Sequence, residues 1–370
     1  MTFIENQFFA LLRAGLWNEE PDVSLFESNV DWDALLDKAK KQTVLGVIGD
    51  GIGMLPAEFR PLPADLHGLK SQLHLIRRSH LLLNTTLKEV CARLREVDIH
   101  PVLLKGQGVA LCYRYPEQRQ CGDIDLYIGP GDYEKACSVV RDFGRKTGEE
   151  SESIQHYHFT RNGVTIEIHR LAAYSVVPSV NRKLQHLISR YLQEKDSGCR
   201  HWEEAGVLLP PVNFDAFYLF YHFAKHFMQG GTGLRQICDW VRYLHVHQKE
   251  IDKERLLADI RSLGLMPLWE LFGCIAVDYL GLPEQELPGF NADKREKAER
   301  AVALIFQVGN FGHYAPVKGV RPKSYYRGKL YAFGKWLWWK QQIFALSPSV
   351  FVRWDFYAFL YSMRVALLHQ

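Results

Sequence analysis

Two aspartates one residue apart inside an apolar run, Asp123-Ile124-Asp125-Leu126-Tyr127-Ile128, constrain this chain more than any other feature. In a strand alternate side chains share a face, so both carboxylates point one way while Ile124 and Leu126 point the other. Two anions side by side repel, and leaving the pair buried and uncompensated is costly. A cation is therefore expected opposite them, and a divalent metal is the simplest choice.

Glu167 supplies the second half of the signal. Val164, Ile166 and Ile168 alternate with Thr165, Glu167 and His169, which predicts a strand with one apolar and one polar face. Upstream, His156-Tyr157-His158-Phe159-Thr160 alternates too, and the Asn162-Gly163 pair between the two runs favours a tight hairpin turn. If this hairpin pairs beside the Asp123 strand, Glu167 completes a three-carboxylate cluster. Three hard oxygen donors suit Mg²⁺ or Mn²⁺, and two such ions can clamp the attacking and leaving oxygens of a phosphoryl transfer. Just before the aspartates, Leu103-Leu104-Lys105-Gly106-Gln107-Gly108 reads as a strand end, a glycine turn and the opening of a helix. A helix N-terminus offers free N–H groups and partial positive charge to a phosphate; glycine lets it approach, and Lys105 adds a point charge.

Strand, glycine turn, helix, Asp-x-Asp on the next strand and a third carboxylate on a later one: this pattern resembles the nucleotidyltransferase superfamily. The wording LLKG…R…GDIDL…IEIH is similar in particular to a bacterial family of uncharacterised nucleotidyltransferases, through Lys105, Gly106, Arg119, Gly122, Asp123, Asp125 and Glu167. The resemblance covers roughly residues 98 to 175. It implies an α+β fold, a mixed-sheet core flanked by N-terminal and C-terminal helical regions. It also implies transfer of a nucleoside monophosphate from an NTP to an acceptor. Asp123, Asp125 and Glu167 would be the catalytic and metal-binding residues, with Mg²⁺ or Mn²⁺ as cofactor. Lys105, Gly106, Gln107, Arg119 and Gly122 would contact the nucleotide, and His169 and Arg235 would reach the substrate cleft. Superfamily members carry Gly-Gly or Gly-Ser after the first strand, whereas here the pair is Gly106-Gln107. A bulkier side chain is then expected where the phosphates pass, which favours the alternative of an inactive scaffold that binds a nucleotide or a partner.

With 370 residues the chain has room for two or three domains. The boundaries expected are an N-terminal helical region over 1–97, the α/β core over 98–177 and a C-terminal helical region over 178–370. The formal net charge is +3, but from Lys318 to Gln370 nine Lys/Arg face one acid, Asp355. Seven scattered cysteines without a C-x-x-C pair argue for reduced thiols in a cytoplasmic protein and against a zinc ribbon or disulfide framework. The N-terminus reads as lacking a signal peptide, and no uncharged apolar stretch reaches the roughly 18 residues of a membrane span.

Within these regions, a helix is expected over 32–39 and a longer amphipathic one from Leu66 to Val97, with Leu73, Ile76, Leu83, Leu87, Val90 and Leu94 as its buried stripe. The core is expected to run strand 99–104, helix 107–114, strand 123–128, helix 132–143 and hairpin 154–169. Helices are expected from Pro178 to Leu282.

Other signals point less specifically. Gly49-Asp50-Gly51-Ile52-Gly53 reads as a loop without a dinucleotide fingerprint. His222 and His226 share a helix face, but Phe223 stands where a zinc protease needs Glu. Gly230 to Gly233 open a helix carrying Arg235 and Asp239, which either pair at i,i+4 or leave Arg235 free for a triphosphate. In the basic tail, Tyr325, Tyr326, Tyr331, Trp336, Trp338, Trp339 and Trp354 interleave with Arg321, Lys323, Arg327, Lys329, Lys335, Lys340 and Arg353. That mix suits a single-stranded nucleic acid, a membrane surface, or aromatics packed on the helices beneath snorkelling cations. The acceptor stays open among protein, RNA and small molecules.

Overall fold

The computed structural model describes residues 1–141, 153–194, 198–314 and 324–361. Four helices precede the sheet: α1 (Phe3–Trp17), α2 (Trp32–Lys41), α3 (Leu45–Met54) and α4 (Pro63–Arg95). In α4 the expected stripe holds, with Leu83, Leu87, Val90 and Leu94 buried and Leu73 and Ile76 packed at the edge of the core. The run Gly49–Gly53 is corrected from loop to helix, because it lies inside α3. Its glycines serve close approach: a Cβ on Gly51 would stand 2.1 Å from the Leu11 carbonyl oxygen, and one on Gly46 1.8 Å from that of Gln118. Backbone-to-backbone packing here overrides the poor helix propensity of glycine.

The chain then enters a six-stranded mixed sheet. Its strands are β1 (Val102–Leu104), β2 (Asp123–Tyr127), β3 (His156–Arg161), β4 (Val164–His169), β5 (Arg200–Trp202) and β6 (Val207–Leu209), in the order β3-β4-β2-β1-β6-β5. β2 runs antiparallel to β1 and parallel to β4, with Asp125 level with Glu167. β3 and β4 form the expected hairpin, and Asn162 and Gly163 both take positive φ at its turn. Three features depart from expectation. The helix after β1, α5, spans only Gly106–Ala110 in place of 107–114. The stretch expected to be helical throughout also contains β5 and β6, and β6 pairs parallel with β1. Each of these strands has three residues, too few for alternation to be read. Strand β1 likewise begins at Val102, later than the 99 expected. Helix α6 (Tyr133–Arg141) fits the 132–143 expectation as far as Arg141; residues 142 and 143 lie outside the described residues.

Alternation divides the sheet into two faces. Leu103, Ile124, Leu126, Phe159, Ile166 and Ile168 pack against α4 and α6 as one core. The opposite face carries Asp123, Asp125, Glu167 and His169 and turns toward the C-terminal helices. These are α7 (Pro178–Leu192), α8 (Val212–Gln229), α9 (Leu234–Val246), α10 (Lys253–Leu263), α11 (Met266–Cys274), α12 (Arg295–Val308) and α13 (Tyr325–Leu346). With α1 to α3 they build a second, aromatic-rich core around Trp240, Trp269, Phe220 and Phe272. The molecule is thus an α+β layer arrangement, with a polar sheet face set against a helical body.

The tail packs on that body. Trp339 donates to the Phe227 carbonyl at 2.8 Å, Lys340 to that of Met228 at 2.8 Å, and Trp354 to that of Leu263 at 3.2 Å. Phe333, Trp336 and Phe344 stay exposed on α13. Arg321 and Lys323, and the side chains of Tyr325, Tyr326 and Lys329, lie outside the described residues. Among those described, no helix is long and apolar enough to cross a membrane.

Candidate active site

Sheet register assembles the acidic cluster. Parallel pairing sets Asp123 against Thr165 and Asp125 against Glu167, all on one face. Carboxylate oxygens of Asp123, Asp125 and Glu167 accordingly lie within 4.8 Å of one another. Asp125 is 1 % exposed, so its charge must be matched locally. Two cations do so: Lys105 Nζ at 3.0 Å and His169 Nε2 at 3.0 Å, with Lys105 also 4.0 Å from Asp123. His169 Nε2 reaches Glu167 as well, at 3.2 Å.

The electrostatics follow from this packing. Burial disfavours a charged His169, but hydrogen bonds to Asp125 and Glu167 outweigh it and raise the imidazole to about 9. Burial would raise Glu167, yet His169, then His156 and Lys105, bring it down to about 2. Lys105 is likewise raised despite its burial, by Asp125 first and then Asp123. On the facing helix the histidines are neutral: burial and the nearby Lys105 lower His226 to about 4 and His222 well below its ordinary value.

Lys105 is held by an unusual backbone. It sits at φ 48 and ψ −143, and Gly106 follows at φ 57. For a residue with a side chain this conformation costs about 1–3 kcal/mol and persists only where its surroundings enforce it. Gly106 is required for its φ, since a Cβ there would meet nothing closer than the Asp123 carbonyl oxygen at 3.8 Å.

Two cavities meet at Lys105 and Asp123. The larger, about 490 Å³, is lined by Gly106, Arg119, Gly122, Arg235 and Phe311 among others. The smaller, about 260 Å³, is lined by Asp125, Glu167, His156, Tyr218, His222 and Lys225 among others. Helix α8 thus closes the polar sheet face from above.

Several site residues differ from expectation. The side chain of Gln107, expected at the cavity, is 1 % exposed and lines neither cavity. A short α5 turns it into the interior. Arg119 borders the larger cavity, but its Nε and Nη2 hold the two Asp239 oxygens at 3.0 and 2.5 Å. Tyr113 donates to the same carboxylate at 2.8 Å. Of the two alternatives for Arg235, the structure has the second: its Nη1 donates to the Gln120 carbonyl at 2.8 Å, and it lines the larger cavity while Asp239 is held by Arg119. His169 does reach the cleft, as an ion-pair partner. Sequence reasoning missed His156 and Lys225 as lining residues, although His156 occupied a polar position of an alternating strand.

The donor set suits a hard divalent ion: three carboxylates converge, on two strands held in register, and their oxygens can approach one centre. Lys105 and His169 balance much of the same charge when no ion does.

The chain belongs to the family described as uncharacterised nucleotidyltransferase, whose model matches residues 28–281. No curated protein and no solved structure matches it. Membership makes this a nucleotidyltransferase-type protein with a candidate acidic metal site, and it implies an NTP as substrate.

Proposed function

We propose that the protein transfers a nucleoside monophosphate from an NTP to an acceptor hydroxyl, using Mg²⁺ or Mn²⁺ at Asp123, Asp125 and Glu167. The observation that carries this reading is the three-carboxylate cluster at the junction of two cavities. The NTP occupies the larger cavity. Its triphosphate lies toward Lys105, Gly106, Gly122 and Arg235, with the backbone rather than the side chain of Gln107 facing it. The acceptor, whether protein, RNA or small molecule, enters through the smaller cavity, and nucleic acid could extend onto the basic tail. The acceptor oxygen attacks the α-phosphorus, its proton leaves to base or solvent, and pyrophosphate departs on the opposite side. A bound divalent cation supplies charge neutralisation of the triphosphate and a template for in-line attack. Asp123 and Asp125 fix the α-phosphate region, and Glu167, ionised at neutral pH, serves as a ligand more readily than as a base. Positioning and charge account for the catalysis, without a covalent enzyme intermediate.

Asp125→Ala is expected to abolish nucleotide transfer, followed as labelled NMP incorporation or pyrophosphate release, while the cooperative melt is kept. Retained transfer would overturn the assignment. One observation favours a second reading. The Lys105–Asp125 ion pair at 3.0 Å already offsets part of the cluster's charge, as in a scaffold that binds nucleotide or partner without turnover. Metal-dependent NTP binding with no pyrophosphate release across a broad acceptor panel would favour that scaffold.

A further inference from the structure

Glu167 belongs to two clusters. Besides the three carboxylates, its Oε2 faces two imidazole nitrogens, His169 Nε2 at 3.2 Å and His156 Nε2 at 3.8 Å. The hairpin register sets His156 directly opposite His169, and their rings stand 5.0 Å apart, tilted by 51°. The two nitrogens and the carboxylate oxygen all lie within 4.8 Å of one another.

These spacings are close to those of ligands on one ion. Donors about 2.1 Å from a common metal stand about 3 to 3.5 Å apart at tetrahedral or octahedral angles. The donor chemistry also differs from that of the neighbouring cluster. Asp123, Asp125 and Glu167 offer oxygen only, which suits Mg²⁺; two imidazoles and a carboxylate suit a borderline first-row ion such as Zn²⁺. A hydrogen-bond network alone explains this geometry less well. His169 Nε2 lies between two carboxylate oxygens and has at most one proton to offer them. His156 Nε2 stands beyond hydrogen-bond distance of Glu167, and its buried Nδ1 has no partner among the described residues.

We propose that His156, Glu167 and His169 form a second metal position, containing nitrogen and selective for a borderline divalent ion, beside the all-carboxylate position and sharing Glu167 with it. The centre is then asymmetric: through Asp123 the oxygen-only position opens on both cavities, whereas His156 and His169 line only the smaller one. As a metal centre for transfer this deepens the function proposed above, but the histidine position can be tested with the metal alone.

The test titrates Zn²⁺ into the full chain in excess Mg²⁺, followed by calorimetry and by imidazole ¹⁵N NMR. One equivalent of Zn²⁺ is expected to bind and to shift the Nε2 resonances of both His156 and His169. His156→Ala is expected to weaken Zn²⁺ at least about tenfold, a loss seen even for outer-shell partners of a metal. Because the His156 side chain is only partly buried and makes no close hydrogen bond, the variant is expected to keep a cooperative metal-free melt. His156→Phe keeps a ring without a ligating nitrogen, so it checks that nitrogen ligation, and not ring packing, is responsible, and it is expected to be equally weak. Zn²⁺ displaced by Mg²⁺, unshifted histidine resonances, or unchanged Zn²⁺ affinity in both variants would overturn the proposal. The Asp123→Ala/Asp125→Ala pair separates the two claims. Zn²⁺ still on the histidines with NTP binding lost supports both. Wild-type protein that shifts its histidines with Zn²⁺ but never binds NTP would keep this site and reject the transferase.

Discussion

At the residue scale the polar groups near the site fall into two kinds, those that build the cavity walls and those that face into it. Arg119 and Tyr113 both donate to the buried Asp239 carboxylate and so tie the β1–β2 connection to α9. Removing either charged member, Arg119 or Asp239, leaves an uncompensated charge in the interior, at a cost of about 3–5 kcal/mol. Asp239→Ala is therefore expected to lose stability on that scale in urea unfolding; a loss under about 1 kcal/mol would contradict the account of Arg119 as a wall residue. Asp123, Asp125 and Glu167 could be picked out of the sequence because strand alternation assigns faces without knowledge of the fold. Their counter-charges could be read only in part. Lys105 lies near in sequence, but its contact with Asp125 depends on two consecutive positive-φ residues that composition does not announce. The Arg119–Asp239 pair spans 120 positions and leaves no local signature.

At the element scale the hairpin and the long helix α4 were legible, since each repeats its period over enough residues to be read. Strands β5 and β6 and the one-and-a-half turns of α5 are set by what they pair with. The glycines of α3 mislead for a physical reason: a residue that usually signals a turn is here required by helix packing. Opposite effects follow at two glycines two residues apart. Gly51→Ala places a methyl 2.1 Å from the Leu11 carbonyl oxygen and is expected to destabilise, against its helix propensity. Gly53→Ala meets nothing within 4 Å and is expected to stabilise by up to about 1 kcal/mol. Thermal melts of the two variants check this, and equal shifts of the same sign would contradict the packing of α3.

At the scale of the whole molecule, the helical body presses neutral histidines against the Lys105 end of the polar sheet face. His222 and His226 stand 4.5 Å apart on α8, and both bind protons more weakly folded than unfolded. The unfolded chain, with histidines near 6.5, then takes up protons that the native state refuses. Stability is fully present above about 6.5 and falls as pH drops toward 4. His226→Gln is expected to flatten that acid limb by about one proton in the pH dependence of unfolding free energy. An unchanged slope would mean that His226 is already charged in the folded protein. None of this was visible in the His222-x-x-x-His226 spacing, which gives a shared face but not what the face meets.

The central claim, that the nucleotide is held at the paired aspartates through a metal, is tested most directly by thermal melts. Wild-type protein and the Asp123→Ala/Asp125→Ala variant are melted with each NTP, with and without Mg²⁺ or Mn²⁺. A ligand at about 100 times its Kd stabilises by about 2.7 kcal/mol, enough to move a melt visibly. A metal-dependent upward shift with at least one NTP in the wild type, absent in the variant, is the expected result. An equal shift in both proteins, or one that needs no metal, would contradict the claim.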